Sequence, residues 1–242
     1  LILEQIDPDM AEKHENTAQR LVKMQKNGLP VSPFLSGKNG KFIQNHDGRV
    51  WQLTPFVQGK SLNRRSYWQD EWRGQALGEF LCRLYETEKP DPEAPLFDLI
   101  GFINLLVEQI SLNRTDLLPR LIPFLNKLEK SVFPLYDKMP RVFGNGDPHP
   151  LNIIWGDNKI LTLIDWEFCG TKPLLYDASL IIGCVGSESP HSFDGPFNRT
   201  FYQCLQKSKI FPSLWLNHLP SFILAQRFAW LNEWLRHKDE SM

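Results

Sequence analysis

The stretch 141–170, RVFGNGDPHPLNIIWGDNKILTLIDWEFCG, determines how the rest of the chain is interpreted. Short runs rich in Val, Ile and Trp alternate in it with Gly, Asp and Asn, a pattern that predicts strands joined by tight turns. The strands are expected at 142–143, 153–155 and 160–164. Three polar residues are therefore expected at strand ends, namely Asp147, Asn152 and Asp165.

The spacing of these residues suits phosphoryl transfer, in which a protein mainly positions the reactants and neutralises charge. Protein kinases use an Asp that faces the attacking hydroxyl, an Asn five positions later and a second Asp after a strand. Asn152 follows Asp147 by five positions, and Asp165 ends an apolar run. Each residue alone would fit an ordinary turn. Together they predict Asp147 as the catalytic residue and Asn152 and Asp165 as ligands of Mg²⁺.

This block resembles the aminoglycoside phosphotransferase and choline kinase family, whose loop is usually written H-G-D-x-H-x-x-N. Asn145 stands here in place of the first His, and the resemblance implies that it braces the loop. His149 matches the second His, which implies a loop-shaping residue without a catalytic role. Asp177, in Tyr-Asp-Ala, resembles the family's Asp that ties back onto the catalytic loop.

The resemblance implies an α+β, two-lobed protein-kinase-like fold with ATP and Mg²⁺ as cofactors. Residues 1–58 would form a small β-containing N-terminal lobe that ends in a hinge, and residues 59–242 a larger helical lobe for catalysis and substrate binding. The chain opens on a strand-like run, Leu1 to Ile6, without the strands and glycine-containing loop that precede it in the family. The N-terminal lobe is therefore expected to be incomplete.

The nucleotide-binding residues are expected in this first lobe. The family's strand carries a Lys for the ATP phosphates, whereas this strand offers Glu4 and Gln5, and the alternatives are Lys13, Lys23 or Lys26. An Asp7-Pro8 cap predicts a helix. The resemblance makes its Glu15, or second its Glu12, the partner of that Lys, and a solvated helix charge is the competing interpretation. The implied hinge places adenine against Leu53, Thr54, Pro55 and Phe56.

The remaining pattern is mostly helical. An antiparallel meander is expected over 31–35, 41–44 and 50–57, with Gly-containing turns between its strands. Apolar stripes at helical spacing predict helices over 67–86, 97–110, 117–132, 174–185, 197–207 and 219–237.

Composition is compatible with a cytoplasmic enzyme. The 27 basic and 28 acidic residues leave a formal net charge of −1, so no overall field indicates a nucleic acid or membrane partner. The four cysteines form no C-x-x-C pair, which argues against a zinc site and a disulfide framework. No apolar run reaches the roughly 18 residues of a membrane span. The oligomeric state stays open.

The acceptor is expected to be a small hydroxylated metabolite, such as a sugar, a hydroxy-amino acid or an amino alcohol. Arg227, Trp230 and Trp234 share one face of the last helix, in the part of the larger lobe that walls the acceptor site of the family. Indole rings stack on sugars or attract cations, and an Arg beside them favours a neutral or acidic acceptor over an aminoglycoside or choline. A packed core explains such a stripe equally well.

Two other functions compete with a kinase. A catalytically impaired nucleotide-binding relative is favoured by the absent strand Lys and disfavoured by the retained Asp147, Asn152 and Asp165. A metallophosphoesterase is suggested by Gly146-Asp147 and by Asn45-His46-Asp47, but the two elements occur in reversed order and the further His ligands are missing.

Overall fold

The computed structural model describes residues 1–94 and 96–237, with side chains up to residue 231. A three-stranded antiparallel sheet is formed by β1 (Ile2–Ile6), β2 (Ile43–His46) and β3 (Arg49–Thr54), with β3 in the centre. Between β1 and β2 the chain forms α1 (Ala11–Lys26). This small sheet and its helix make up the N-terminal part of the molecule.

Local sequence explains where α1 begins and ends. The Asp7 side chain accepts a hydrogen bond from the Asp9 amide at 2.9 Å, and Pro8 opens a 3₁₀ turn that leads into the helix. Gly28, in the left-handed conformation at φ 76°, follows its end. The helix buries Ala18, Leu21 and Met24, spaced three apart, so one face packs on the core.

The 141–170 block contains the three predicted strands. They are β4 (Arg141–Gly144), β5 (Ile153–Trp155) and β6 (Ile160–Leu163), and a fourth, β7 (Gly170–Pro173), follows them. β4 pairs with β7 and β5 with β6, both antiparallel. Two small ribbons therefore hold the polar loops 145–152 and 164–169 side by side.

The larger part of the fold is helical. Its helices, within the described residues, are α2 (Glu71–Thr87), α3 (Leu99–Asn113), α4 (Leu118–Ser131), α5 (Phe133–Tyr136), α6 (Tyr176–Gly186), α7 (Pro196–Lys207), α8 (Ser213–Leu216) and α9 (Leu219–His237). α6 is buried along most of its length and contacts both α7 and α9. α2 lies very close to α7, since a Cβ at Gly74 would be 2.1 Å from the Phe197 carbonyl oxygen. The predicted α+β class, a small sheet region with a larger helical part, is confirmed.

Residues 31–35 and two helix starts differ from the prediction, and the helix expected from Tyr67 begins at Glu71, after a short 3₁₀ turn at Tyr67–Gln69. Residues 31–35 form no strand, and only Val31 bridges to Leu163, because Pro33 lacks an amide hydrogen for a ladder. The helix expected from Phe97 begins at Leu99, where the Asp98 side chain caps the Gly101 amide at 2.8 Å. Within the described residues, no helix combines the length and the apolar character needed to cross a membrane.

Candidate active site

The loop after β4 brings Asp147 to the centre of the molecule. Gly146 has φ 91°, and a Cβ there would lie 2.3 Å from the Phe168 carbonyl oxygen, so only glycine fits. The Asn145 side chain braces the turn on both sides: its Oδ1 accepts from the Asp147 amide at 3.0 Å, and its Nδ2 donates to the Asp165 carbonyl at 2.9 Å. Asn145 thus joins the two polar loops, as the resemblance implied.

Asp177, at the start of α6, anchors the same loop. Its carboxylate is completely buried and accepts hydrogen bonds from the Asn145 amide at 2.9 Å and the Gly146 amide at 3.1 Å. Burial raises the pKa of Asp177, while the nearby Lys172 ammonium and the two amides oppose that rise. The expected tie between this Asp and the catalytic loop is therefore present.

Asp147 is a buried carboxyl group with one unoccupied oxygen. Its Oδ2 accepts from Asn152 Nδ2 at 3.2 Å and lies 3.5 Å from His149 Nε2. Its Oδ1 is buried and has no hydrogen-bond partner within the described residues. Burial and, second, the charge of Asp165 raise the pKa of Asp147 to about 7. Such a group can accept a proton, and its free oxygen needs a donor.

His149 supports Asp147 and is not a competing base. Burial lowers the pKa of His149, which favours the neutral ring. Its Nδ1 accepts from the Leu151 amide at 3.2 Å, and Nε2 therefore carries the hydrogen and faces Asp147 Oδ2. The ring thus shapes the start of the short 3₁₀ turn at 150–152.

Asn152 and Asp165 have the donor atoms that Mg²⁺ requires. Asn152 Nδ2 donates to the carbonyl and the carboxylate of Asp147, which leaves its Oδ1 without a donor in the described residues. Asp165 is exposed, lines the cleft and has φ 57°. No cluster of three or more His, Cys, Asp or Glu side chains occurs within the described part of the chain. A hard cation held by these two residues would complete its oxygen shell from phosphates and water.

A cleft of about 400 Å³ lies between the sheet and the 164–167 loop. Its lining comes from β1, β3, α1 and β6 and their adjoining loops: Ile2, Glu4, Lys13, His14, Thr17, Ser32, Phe34, Gln52, Thr54, Leu163, Ile164, Asp165, Trp166 and Glu167. Thr54 Oγ1 is buried at this surface without a partner in the described residues. The volume and the mixture of apolar and polar walls suit a nucleotide.

The four hinge residues predicted to hold adenine occupy different positions. Thr54 lines the cleft, whereas Leu53 pairs with Leu3 and its carbonyl accepts from the Leu35 amide at 2.8 Å. Pro55 follows the strand, and Phe56 is 64% exposed. Adenine binding at 53–56 stays a prediction, with Thr54 as the residue that reaches the cleft.

Glu15 lies on the sheet side of α1. Its Oε2 accepts from the amides of Phe42 and Ile43 at 3.0 and 2.9 Å, so it fastens the helix to the start of β2. It is not among the described residues that line the cleft, and its role in nucleotide binding stays a prediction.

Sequence reasoning missed a polar chain that crosses the cleft. Gln52 Nε2 donates to Glu4 Oε2 at 2.7 Å, and Gln52 Oε1 lies 2.7 Å from His14 Nδ1, which therefore donates to it. The alternation of side chains along β1 and β3 places Glu4 and Gln52 on one face. That alternation was the available signal, but the neighbouring His14 comes from a helix.

A second charged group lies beside Asp147, on the side of α6. Glu188 accepts from Arg64 Nε at 3.2 Å and from the Tyr67 hydroxyl at 3.2 Å. The charge of Arg64 lowers the pKa of His149 and that of Glu188 raises it. The pair therefore lies near the catalytic loop. This group of Arg64, Tyr67 and Glu188 was not predicted as a unit, because its members come from two distant segments.

The predicted acceptor residues lie on α9. The Arg227 guanidinium packs on the backbone of α6, where a Cβ at Gly183 would be 2.7 Å from Nη2. Burial raises the pKa of the Cys184 thiol to about 11. The charges of Arg227, Asp147 and Glu188 also affect this pKa. Trp230 is half-buried. The side chain of Trp234 lies outside the described residues. Substrate binding by these three residues stays a prediction.

Comparisons with known proteins agree with this geometry. The model of a family described as "Phosphotransferase enzyme family" matches residues 1–208. A search of curated proteins found no match.

Solved structures share the fold at low sequence identity. Amicoumacin kinase hAmiN, in complex with AMP-PNP, Ca²⁺ and Ami, superposes with a TM-score of 0.73 at 16% identity, over 99% of this chain and 75% of that one. The AMP-bound spectinomycin phosphotransferase APH(9)-Ia gives 0.68 at 15% identity, over 99% and 79%. A choline/ethanolamine kinase family protein from Mesorhizobium loti gives 0.67 at 12% identity, over 99% and 76%.

Proposed function

The chain belongs to the phosphotransferase enzyme family, and from that premise we propose that it is an ATP- and Mg²⁺-dependent kinase that phosphorylates a hydroxyl group of a small metabolite. The observation that carries this proposal is the convergence of three polar side chains: Asp147 Oδ2 accepts from Asn152 Nδ2 at 3.2 Å, and the charge of Asp165, which lines the cleft, acts on Asp147. Phosphoryl transfer requires an acceptor for the hydroxyl hydrogen and oxygen ligands for Mg²⁺, and these three residues offer both.

Each residue of the site has a distinct role in this proposal. Asp147 accepts the hydroxyl hydrogen and orients the oxygen toward the phosphorus. Asn152 and Asp165 hold Mg²⁺, which neutralises the phosphate charge during transfer. A cation at Asp165 also opposes the carboxylate charge that raises the pKa of Asp147, so the ionised base is favoured when the site is filled. Asn145 and Asp177 hold the loops 145–152 and 164–169 in place through their hydrogen bonds.

The nucleotide occupies the cleft between the sheet and Asp165. Thr54, at the end of β3, and Asp165 both line the cleft, so its walls offer apolar surface to a base and a carboxylate to a metal–phosphate group. The structural relatives bound to AMP-PNP with Ca²⁺ and to AMP support nucleotide binding by this chain.

The acceptor is a neutral or acidic hydroxylated metabolite, such as a sugar or hydroxy-amino acid. We place Arg64, Arg227 and Glu188 on the acceptor side of Asp147, because the charges of Arg64 and Glu188 act on His149 and that of Arg227 acts, with Asp147, on Cys184. Glu188 is already engaged by Arg64 and by Tyr67, so the wall presents little free negative charge to a polycation. Arg227 offers a guanidinium to a carboxylate or hydroxyl.

A catalytically impaired nucleotide-binding protein is the second candidate. One observation favours it: the cleft contains three carboxylates, Glu4, Asp165 and Glu167, which would repel the negative charges of a polyphosphate. Such a protein would bind nucleotide without ADP release on any acceptor.

An ADP-release screen tests the proposal. Sugars and hydroxy-amino acids form one panel, and the cationic amino alcohols, kanamycin and choline form the other, each assayed with ATP and with or without Mg²⁺. We expect Mg²⁺-dependent release with a member of the first panel. Turnover of kanamycin or choline alone would overturn the acceptor class, and nucleotide binding without turnover on either panel would favour the second candidate.

Arg227→Gln extends the same screen. It should raise the KM for an acidic acceptor while leaving the affinity for ATP unchanged, because Arg227 lies on α9, away from the nucleotide cleft. Arg199→Gln, at an exposed position of α7, is the matched control.

A further inference from the structure

The nucleotide cleft has an unbalanced set of charges. Within the described residues its lining carries three carboxylates, Glu4, Asp165 and Glu167, and a single Lys or Arg, which is Lys13. A nucleoside triphosphate adds several negative charges to this surface. A metal ion at Asp165 compensates part of them, and the remainder requires a protein cation.

The strand that faces the cleft cannot supply that cation. Side chains of Ile2 and Glu4, two positions apart on β1, line the cleft. Glu4 is acidic and is held in place by Gln52, which in turn is held by His14. Among the described residues, the cation therefore comes from another element that borders the cleft.

Lys13 lies on the cleft-facing side of α1. It shares that side with Thr17, one turn further on, and both residues line the cleft. Thr17 Oγ1 lies 3.6 Å from Cys169 Sγ, so this side of the helix faces the segment that follows Asp165. Lys13 thus lies between the cleft and the segment that follows Asp165. It makes no hydrogen bond or salt bridge within the described part of the chain.

The two other lysines of α1 are placed differently. Lys23 Nζ lies 3.7 Å from Glu88 Oε2, a buried carboxylate at the far side of the helix. Lys26 is exposed in the last turn, about 20 Å along the axis from Lys13 at 1.5 Å per residue. Neither of them lines the cleft.

We propose that Lys13 is the phosphate-binding cation of this enzyme, contributed by helix α1 and not by the strand that carries Glu4. The inference rests on the proposed kinase function, since it assumes that the cleft binds a nucleotide. Lys13 then determines the preference of the cleft for di- and triphosphates over the nucleoside.

Binding measurements on the intact chain test this role without using activity. ATP, ADP and adenosine are titrated, in the presence of Mg²⁺, into the unsubstituted protein and into Lys13→Met, Lys13→Arg and Lys26→Met. Lys13→Met should bind ATP and ADP about 10- to 100-fold more weakly, the range of a hydrogen bond between charged groups, with adenosine affinity unchanged. Lys13→Arg should retain most of the affinity, and the control Lys26→Met all of it.

The outcomes separate the inference from the proposed function. If the unsubstituted protein binds ATP and Lys13→Met binds it equally well, the role of Lys13 is wrong and the kinase proposal stands. Equal losses for ATP and adenosine would also overturn the role, because they would indicate a damaged cleft. If the unsubstituted protein binds no ATP, the proposed function fails, and the inference fails with it. Lys13 is exposed, so thermal melting of Lys13→Met should match that of the unsubstituted protein.

Discussion

Replacing Asp177 by Asn should destabilise the whole molecule although the shape of the side chain is kept. The two carboxylate oxygens accept the amides of Asn145 and Gly146 at 2.9 and 3.1 Å in a completely buried environment. Asn has one acceptor oxygen, and the other position becomes an NH₂ donor. One of the two backbone amides then faces a donor and loses its partner, since no water reaches it.

The magnitude follows from these contacts. Losing a hydrogen bond to a charged acceptor costs about 1.5 to 3 kcal/mol, and an unsatisfied buried amide about 1 to 3 kcal/mol. The two costs overlap, so we expect roughly 2 to 5 kcal/mol out of a total stability of about 5 to 15 kcal/mol. At about 2 to 4 °C per kcal/mol for a chain of this size, the Tm should fall by roughly 4 to 20 °C.

Differential scanning calorimetry of Asp177→Asn measures this loss. Asp116→Asn is the matched control, because that carboxylate is exposed and contacts Arg114 only, and its Tm should not change. A Tm for Asp177→Asn within about 2 °C of the unsubstituted protein would refute the claim that this carboxylate holds the catalytic loop.

Three further predictions concern the site. Asp165→Ala should abolish Mg²⁺-dependent ATP binding in calorimetry, and Asn152→Ala should weaken it less; unchanged Mg²⁺ dependence in Asp165→Ala would contradict the ligand assignment. Gly146→Ala should lower the free energy of unfolding by about 2 kcal/mol or more in denaturant titration, since the new Cβ would lie 2.3 Å from a backbone carbonyl oxygen. The control Gly40→Ala, at a similar φ of 76° but in open space, should cost less. Glu4→Gln keeps a hydrogen-bond acceptor but removes a negative charge from the cleft. ATP should therefore bind about two- to fivefold more tightly in the same titration. Weaker binding would argue against electrostatic repulsion between Glu4 and the phosphates.

The placement of the polar residues in the central block could be predicted from sequence because it depends on local spacing. A five-residue separation within one loop places Asp147 and Asn152 together, and an apolar strand delivers Asp165 beside them. The strand β7 was missed because its four residues, from Gly170 to Pro173, show no alternation, and only the distant β4 makes them a strand.

The parts of the site that sequence could not predict depend on long-range contacts. The Glu15 carboxylate accepts hydrogen bonds from the amides of residues 42 and 43, a pairing that the sequence did not predict. Nothing in the local pattern of either segment records that pairing. The same holds for Glu188, whose partners Arg64 and Tyr67 are more than a hundred residues away. Lys13 could be named as one of three alternatives, and only the placement of α1 distinguishes it.

The central claim is that Asp147 acts on the acceptor hydroxyl and not on the nucleotide. The most direct test compares ADP release and ATP affinity for Asp147→Asn and the unsubstituted protein, with the acceptor identified in the screen. The substitution removes the basic oxygen at nearly constant shape, so turnover should fall by about 10²- to 10⁴-fold while ATP affinity stays within about twofold. Near-normal turnover in Asp147→Asn would contradict the claim, and so would a loss of turnover explained entirely by weaker ATP binding.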